Sequence, residues 1–381
     1  MKLDLLYEID VPKPWGDEEH PVAQRREERR RYSESLEQIK RADSLGFDTV
    51  WCVEHHFREG RSHMPASEVV LGALSQCTQN IRLGFGVTLT PHEFIHPARV
   101  AEKVATVDLL SNGRAEWGIG RSTPMEQSAF GVDPATSKHQ MLAAAKSIAG
   151  MWREEYYSEN SEYLNFPPRM ITPKPWQDPH PPCWMAVTSD SSAAVAGENG
   201  LGMLAMSILN PLEKVAELVA SYRAAHRNCN PLTDVINSNA AVYTLVCCVE
   251  DRADLEKYRV WDGLSWWYTS VIDFQLKWEW NNISEADRLA YVPFYRDYVA
   301  GTFNVRDFDD QDMIIVGTPD ECAAKLKRYK AAGLDKALCY HPGPLGHRCV
   351  MRSLELLGRH VIPQLGDTTQ PALVTAASQK G

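Results

Sequence analysis

Nine cysteines occur among 381 residues without one C-x-x-C spacing, and Cys247 and Cys248 sit together inside an apolar run. That usage excludes a dithiol redox motif or zinc ribbon and reads as reduced residues of a core. No run of about 18 apolar residues occurs, and no charged segment followed by a short apolar one opens the chain. A membrane-spanning helix and a secretory leader are therefore not expected, and a cytoplasmic location is. Positive charge is in short supply, the formal net charge being -10. A nucleic-acid partner, which needs a basic face, is disfavoured. The one basic run, Arg25, Arg26, Arg29, Arg30 and Arg31, is broken by Glu27 and Glu28 and reads as the solvated start of a helix. There is also no nucleophile elbow, no Walker loop and no H-E-x-x-H pattern, so covalent hydrolysis and phosphoryl transfer lack support.

What is present is a soluble globular composition, 44% hydrophobic and 24% charged. Short β-branched and aromatic runs alternate with longer amphipathic segments, the pattern of repeated βα units. Eight strands are predicted, over residues 2–9, 47–53, 81–89, 114–119, 183–187, 203–207, 240–249 and 336–341. Helices are predicted between them, for example where Val100, Val104 and Val107 follow Pro97 and precede Gly113. Eight parallel strands with crossovers make an α/β fold of the TIM-barrel type, (β/α)8. The competing doubly wound sheet would want a glycine-rich loop after the first strand, and Tyr7 to Gly16 has none. One domain over 1–365 is expected, followed by a loose polar tail over 366–381. Residues 251–315 are too long for an ordinary connection and carry Trp261, Trp266, Trp267, Trp278 and Trp280. A helical, Trp-rich insertion between strands seven and eight is predicted. It either covers the active face or merely packs its own aromatics on the barrel.

Four segments could carry chemistry. Phe47 to Phe57 runs from a strand straight into Glu54, His55 and His56, and the C-terminal ends of barrel strands face the catalytic mouth. A carboxylate and two imidazoles there suit proton transfer. No metal is expected, since adjacent histidines on an extended strand point to opposite faces. The stretch IRLGFGVTLT places Gly84 and Gly86 in one strand, where either a flat ring lies against the backbone or the strand bulges. In AEWGIGR, Arg121 stands at a strand end, where it can grip a phosphate or pair with a carboxylate. The turn AVTSDSS supplies Thr188, Ser189, Ser191 and Ser192 at a helix start, to be read as an anion site or as an ordinary cap. Together these favour redox chemistry.

At these residues the sequence resembles the luciferase-like flavin-dependent monooxygenases. DTVWCVEHHF resembles the family's second strand, HPARVAEKVATVDLLSNGRAEWGIGR its third helix through fourth strand, and GTPDECAAKLKRYKAAGLDKALCY its penultimate helix and last strand. The resemblance implies a TIM barrel binding FMN as FMNH2, delivered by a separate flavin reductase, and O2 activated as a C4a-peroxyflavin to attack a small apolar or aromatic substrate. It implies His55 as the catalytic histidine, with Glu54 and His56 in support. Arg121 would hold the phosphate, with Thr188, Ser189, Ser191 and Ser192 closing around it. Gly86 and Val87 would lie under the isoalloxazine, joined by a non-proline cis peptide. A homodimer through helices two and three follows, with Val69, Val70, Leu71 and Leu74 as the apolar surplus. Two departures stand out: Gly120 replaces the reactive cysteine of the light-emitting subunit, and the loop PHEFIHP is longer. F420-dependent hydride transfer and non-catalytic flavin binding remain alternatives.

Overall fold

A computed structural model describes residues 1–15, 20–278, 284–292, 294–366 and 374–375. Eight strands form one parallel barrel: β1 (Lys2–Tyr7), β2 (Thr49–Cys52), β3 (Arg82–Leu89), β4 (Ala115–Gly120), β5 (Cys183–Ala186), β6 (Gly202–Met206), β7 (Ala240–Cys248) and β8 (Lys336–Tyr340). They pair in chain order, and β8 returns to β1 through Lys2↔Lys336, closing the ring. β7 is continuously buried, as expected of a strand covered on both faces. All eight predicted strands are present within two residues of their expected ends.

The crossovers are α1 (Val22–Asp43), α2 (Ser67–Cys77), α3 (Pro97–Leu110), α4 (Pro124–Phe130), α5 (Ser137–Arg153), α6 (Asp190–Glu198), α7 (Leu212–His226), α8 (Val260–Trp278), α9 (Pro319–Ala331) and α10 (His347–Leu356). Their ends follow local rules. α3 has Pro97 in its first turn, and the His96 ring accepts from the Ala98 N–H at 3.1 Å. It buries Val100, Val104 and Val107 and stops before Gly113, whose φ of 79° suits glycine.

At the N-terminal end of the strands lies a buried charged floor. Lys336 is 3.2 Å from Asp4, 2.6 Å from Asp48 and 3.0 Å from the Thr49 hydroxyl, so one ammonium ties β8 to β1 and β2. Burial pushes the Asp4 carboxyl up to about 6 against the pull of Lys336. Burial also opposes ionisation of Asp48, but Lys336 and Lys2 hold it down at about 2. Asp4 accepts from the Trp51 indole at 2.8 Å, Trp51 packs edge-on against Trp184 at 5.4 Å, and Trp184 donates to Glu116 at 2.6 Å. The barrel interior is thus filled rather than open.

Between β7 and β8 the chain runs through Ala253–Lys257, α8, Glu285–Tyr291, Tyr295–Ala300 and Arg306–Asp310. Ile315–Gly317 then extends the sheet beside the end of β7. Tyr268, Phe294 and Phe308 form the knot of this excursion, with ring separations of 4.8–5.2 Å. Its tryptophans divide between the two readings. Trp261 and Trp267 are buried, Trp266 is half-buried and Trp278 is exposed, while Trp280 lies outside the described residues.

Three elements escape the sequence pattern. Tyr157–Asn160 and Asn165–Arg169 form an antiparallel hairpin, hidden because Pro167 and Pro168 argue against a strand. α4 is too short for a periodicity to show. In the tail, Val374–Thr375 pairs antiparallel with Val235–Ile236, and residues 367–373 and 376–381 lie outside the described residues. The reading of all nine cysteines as core residues is corrected. Cys77 is exposed and Cys229 and Cys349 are half-buried, because each sits at or beside a helix end rather than on a barrel strand. Among the described residues no helix is long and apolar enough to cross a membrane.

Removing the ammonium leaves Asp4 without a cation and Asp48 with Lys2 alone. Lys336→Met is expected to lower unfolding free energy by about 3–5 kcal/mol, read from urea unfolding. Asp48's contribution is complete above pH 3.8, its ordinary value, and is lost as pH falls through about 2. That part of the acid sensitivity should shrink in the variant, where Lys2 alone holds Asp48 down.

Candidate active site

The mouth of the barrel is built from the segments leaving β1 to β5. β2 runs on through Val53 to Arg61, and this loop carries His55 and His56. His55 Nδ1 lies 3.1 and 3.3 Å from the two carboxylate oxygens of Glu126, in the first turn of α4. Glu126 is fully buried and also accepts from the His56 backbone N–H at 2.5 Å, the Thr123 hydroxyl at 3.0 Å and the Ser122 hydroxyl. Arg58 stands 3.7 Å away. Burial would raise the Glu126 carboxyl, yet His55, Arg58 and Ser122 hold it well below the usual carboxylate range. A carboxylate at Nδ1 fixes the ring and its tautomer and leaves Nε2 as the nitrogen available for proton transfer.

Both loops that make this pair carry a non-glycine residue in the left-handed region, Phe57 at φ 61° and Ser122 at φ 65°. Such residues cost on the order of 1–3 kcal/mol each and persist where the surroundings over-determine them. Here the surroundings are the converging bonds on Glu126.

Glu54 and His56 have other partners. The His56 ring is 3.5 Å from Glu54 and edge-on to Phe130 at 4.9 Å. Glu54 is also 3.5 Å from Lys103 on α3, which in turn approaches Glu68 on α2 at 3.8 Å. These contacts anchor the loop to the outer helices. The carboxylate that orients His55 is Glu126, which the sequence reading passed over, rather than Glu54.

Along β3, Gly86 and Val87 are partly exposed while Leu83 to Phe85 and Thr88 to Thr90 are buried, and the peptide bond between Gly86 and Val87 is cis. The pairing with β4 shifts register between Phe85 and Thr88, so the bulge is real. The glycines also answer to neighbours. A Cβ on Gly84 would lie 2.5 Å from the Trp51 ring, and one on Gly118 or Gly120 would lie 2.8 or 2.4 Å from Val87. Val87, with the half-buried Leu204 and Met206 of β6, forms an accessible apolar surface in the mouth. The buried hydroxyls of Thr88 and Thr90 beside it have no hydrogen-bond partner among the described residues.

Arg121 leaves β4 exposed, with the Ser137 hydroxyl 3.2 Å from its guanidinium. After the adjacent strand β5, Thr188 to Ser191 are exposed, and Ser189 with Ser192 makes a reciprocal capping box on α6. Ser192 Oγ accepts from the backbone of Thr188 and Ser189 at 3.1 and 3.0 Å, so it serves the cap. Ser189 Oγ accepts from the Ser192 N–H and so serves the cap as well, while Thr188 and Ser191 are exposed beyond the end of β5, the strand that pairs with β4 through Ile119↔Met185.

α8 packs on the loop after β2. Phe274 packs under the Arg58 guanidinium at 5.3 Å, and Trp266 and Trp267 flank Arg61 at 5.8 and 4.9 Å. Glu126 carried one weak signal in the sequence, and Arg58 and Arg61 carried none. Thr123-Pro124-Met125-Glu126 is a helix-start pattern, which on its own predicts only a structural carboxylate.

Residues 15–336 match the family described as luciferase-like monooxygenase. Among curated relatives the chain is similar to the oxygenase component of a flavin-dependent trigonelline monooxygenase from Acinetobacter baylyi, 24% identical over 355 residues, covering 91% of this chain and 93% of that one. Among solved structures it is similar to monooxygenase RslO1 of Streptomyces bottropensis, with a TM-score of 0.74 and 24% identity over 96% of this chain and 100% of that one. It is also similar to the oxygenating constituent of 3,6-diketocamphane monooxygenase of Pseudomonas putida in complex with FMN, with a TM-score of 0.71 and 19% identity over 96% and 98%. An F420-dependent secondary alcohol dehydrogenase shares the fold too, with a TM-score of 0.68 and 17% identity over 96% and 99%.

Glu126→Gln keeps the shape of the side chain but removes the charge on which four donors and Arg58 converge. A loss of about 2 kcal/mol at neutral pH is expected in chemical unfolding. Because the folded state holds this carboxyl down, its contribution is complete above pH 4.5 and is lost as pH falls further. The gap between variant and wild type should therefore narrow steadily below that pH.

Proposed function

Because the chain belongs to the luciferase-like monooxygenase family, we propose that it is the oxygenase component of a two-component, FMNH2- and O2-dependent monooxygenase acting on a small apolar or aromatic substrate. The observation that carries this reading is the His55–Glu126 pair, held at 3.1 Å on the loop that leaves β2, the strand paired with the Gly86–Val87 strand β3. The residues present fit a flavin mononucleotide. Arg121 with Thr188, Ser189 and Ser191 offers a cation and hydroxyls for a phosphate, Gly86 and Val87 offer a surface without bulky side chains to a flat ring, and the unpartnered Thr88 and Thr90 hydroxyls suit a polar ring edge. When bound, the reduced flavin supplies the electrons with which O2 is activated.

This chain's own residues do the rest. His55 Nε2 holds or delivers the proton that the reacting oxygen needs, Glu126 keeps the ring turned for it, and α8 screens the mouth from water. Lacking tight closure around a resident cofactor, the exposed Arg121 and serine turn suit a flavin that arrives from a separate reductase. A homodimer is part of the reading, although α2 buries Val70, Leu71 and Leu74 within its own chain. Val69, Leu109 and Leu110 are the exposed apolar residues left for a second copy. Shared fold with an F420-dependent dehydrogenase favours hydride transfer as the second reading.

Anaerobic titration separates the two. FMNH2 is expected to bind saturably and reduced F420 to bind far more weakly, and Arg121→Gln should weaken FMNH2 roughly 10- to 100-fold, the worth of a charge-assisted contact. His55→Ala should leave FMNH2 affinity within about twofold while changing the flavin absorbance transients on mixing with O2. Binding of F420 alone would replace the proposal with the hydride-transfer reading, and flavin binding without any reaction with O2 would leave a carrier.

A further inference from the structure

The end of the mouth away from Arg121 holds a polar cluster that the flavin reading leaves unused. Arg61, on the loop after β2, is 4% exposed and forms a 2.7 Å ion pair with Glu8 from the end of β1. It stands 4.0 Å from Asp10. The Tyr340 hydroxyl and, at 3.0 Å, the Gly343 N–H donate to the other oxygen of Asp10. Against these bonds stand several buried polar atoms with no partner: Arg61 Nε and Nη1, the Trp267 indole N–H, the Tyr243 hydroxyl and one oxygen of Asp10. Buried donors without acceptors cost about 1–3 kcal/mol each, so a cluster of them on one wall needs a reason. The aromatic faces around it, Tyr243 with Tyr340 at 5.6 Å and Tyr243 with Trp267 at 6.2 Å, make the rest of the wall apolar.

Charge narrows what could satisfy these donors. A cation is excluded, because the indole faces that would receive it already hold Arg61. An anion would join two carboxylates that already outnumber the single guanidinium, at a site where each buried charge is expensive. An uncharged group rich in acceptor lone pairs meets three N–H donors without adding charge. The donors lie beneath α8 with no access to solvent, so such a ligand enters by parting Trp266 and Trp267 from Arg61.

We propose that the packed contact between Arg61 and α8 opens to form the substrate subsite, and that it takes an uncharged apolar or aromatic compound whose ketone, phenol or ether oxygen accepts from Arg61 and the Trp267 indole. This deepens the monooxygenase reading and rests on it for the identity of the mouth as the reacting face. The pair of elements that recognises the substrate is then the β2 exit loop and α8, and the same loop carries His55.

Three probes of one shape test it by calorimetric titration of the full chain: acetophenone, ethylbenzene, which lacks the oxygen, and benzoate, which carries a charge. Acetophenone is expected to bind at least about tenfold more tightly than either, and Trp267→Phe to erase about tenfold of that affinity without changing ethylbenzene. Arg61→Met should do the same, and Trp267→Phe serves alone if that variant does not fold. Equal binding of acetophenone and ethylbenzene, preference for benzoate, no binding of any of the three, or an unaltered acetophenone affinity in Trp267→Phe each overturns the assignment. Intact acetophenone selectivity with no FMNH2 binding would overturn the flavin reading and leave the subsite standing; FMNH2 binding without selectivity would do the reverse.

Discussion

One buried ammonium group sets the terms for the whole barrel. Lys336 joins the last strand to the first two through Asp4 and Asp48, and Asp4 in turn fixes the indole of Trp51. With Trp51 held inside the ring, the facing strand can carry no side chain at Gly84 or Gly86, where a Cβ would lie 2.5 and 2.9 Å from it. Those glycines give β3 its bulge, and the bulge brings Gly86 and Val87 to the accessible surface of the mouth. The floor and the candidate flavin platform, at opposite ends of the strands, are therefore one packing problem. A buried charge is a costly way to close a ring, but it is directional, and registry is what a closed parallel sheet needs most.

The second organising group is Glu126. It joins two βα units that are separated by β3, since its carboxylate lies on α4 while its donors come from the β2 loop and from Ser122 and Thr123. The strained backbone at Phe57 and Ser122 is held on either side of it. The orientation of the His55 ring thus depends on a residue outside its own loop, and Arg58 and Arg61 tie α8 to that loop. Helix, histidine and carboxylate form one mechanical unit.

The fold was largely legible in the sequence because parallel barrel strands are short apolar runs set between amphipathic helices, and each βα unit repeats the signal. The hairpin near Asn160 was not, because Pro167 and Pro168 contradict strand chemistry and only an edge position tolerates them. Within the candidate site, His55, Arg121 and the serine turn were readable because each follows directly on a strand. Glu126 was not, since its sequence context is indistinguishable from a helix cap and its meaning comes from a histidine 71 positions earlier. Arg61 and Glu8 were silent for the same reason: their roles come from burial and from each other, and the sequence records neither. The glycines of β3 and β4 were noticed, but their first cause is Trp51 and Val87 and not a ligand alone.

The contact between Gly120 and Val87 couples two positions of the mouth. The nearest atom to a Cβ at position 120 would be a Val87 methyl at 2.4 Å, closer than any ordinary contact. A side chain can enter at 120 only if residue 87 gives way, so any redesign of this mouth has to treat the two positions as a single unit.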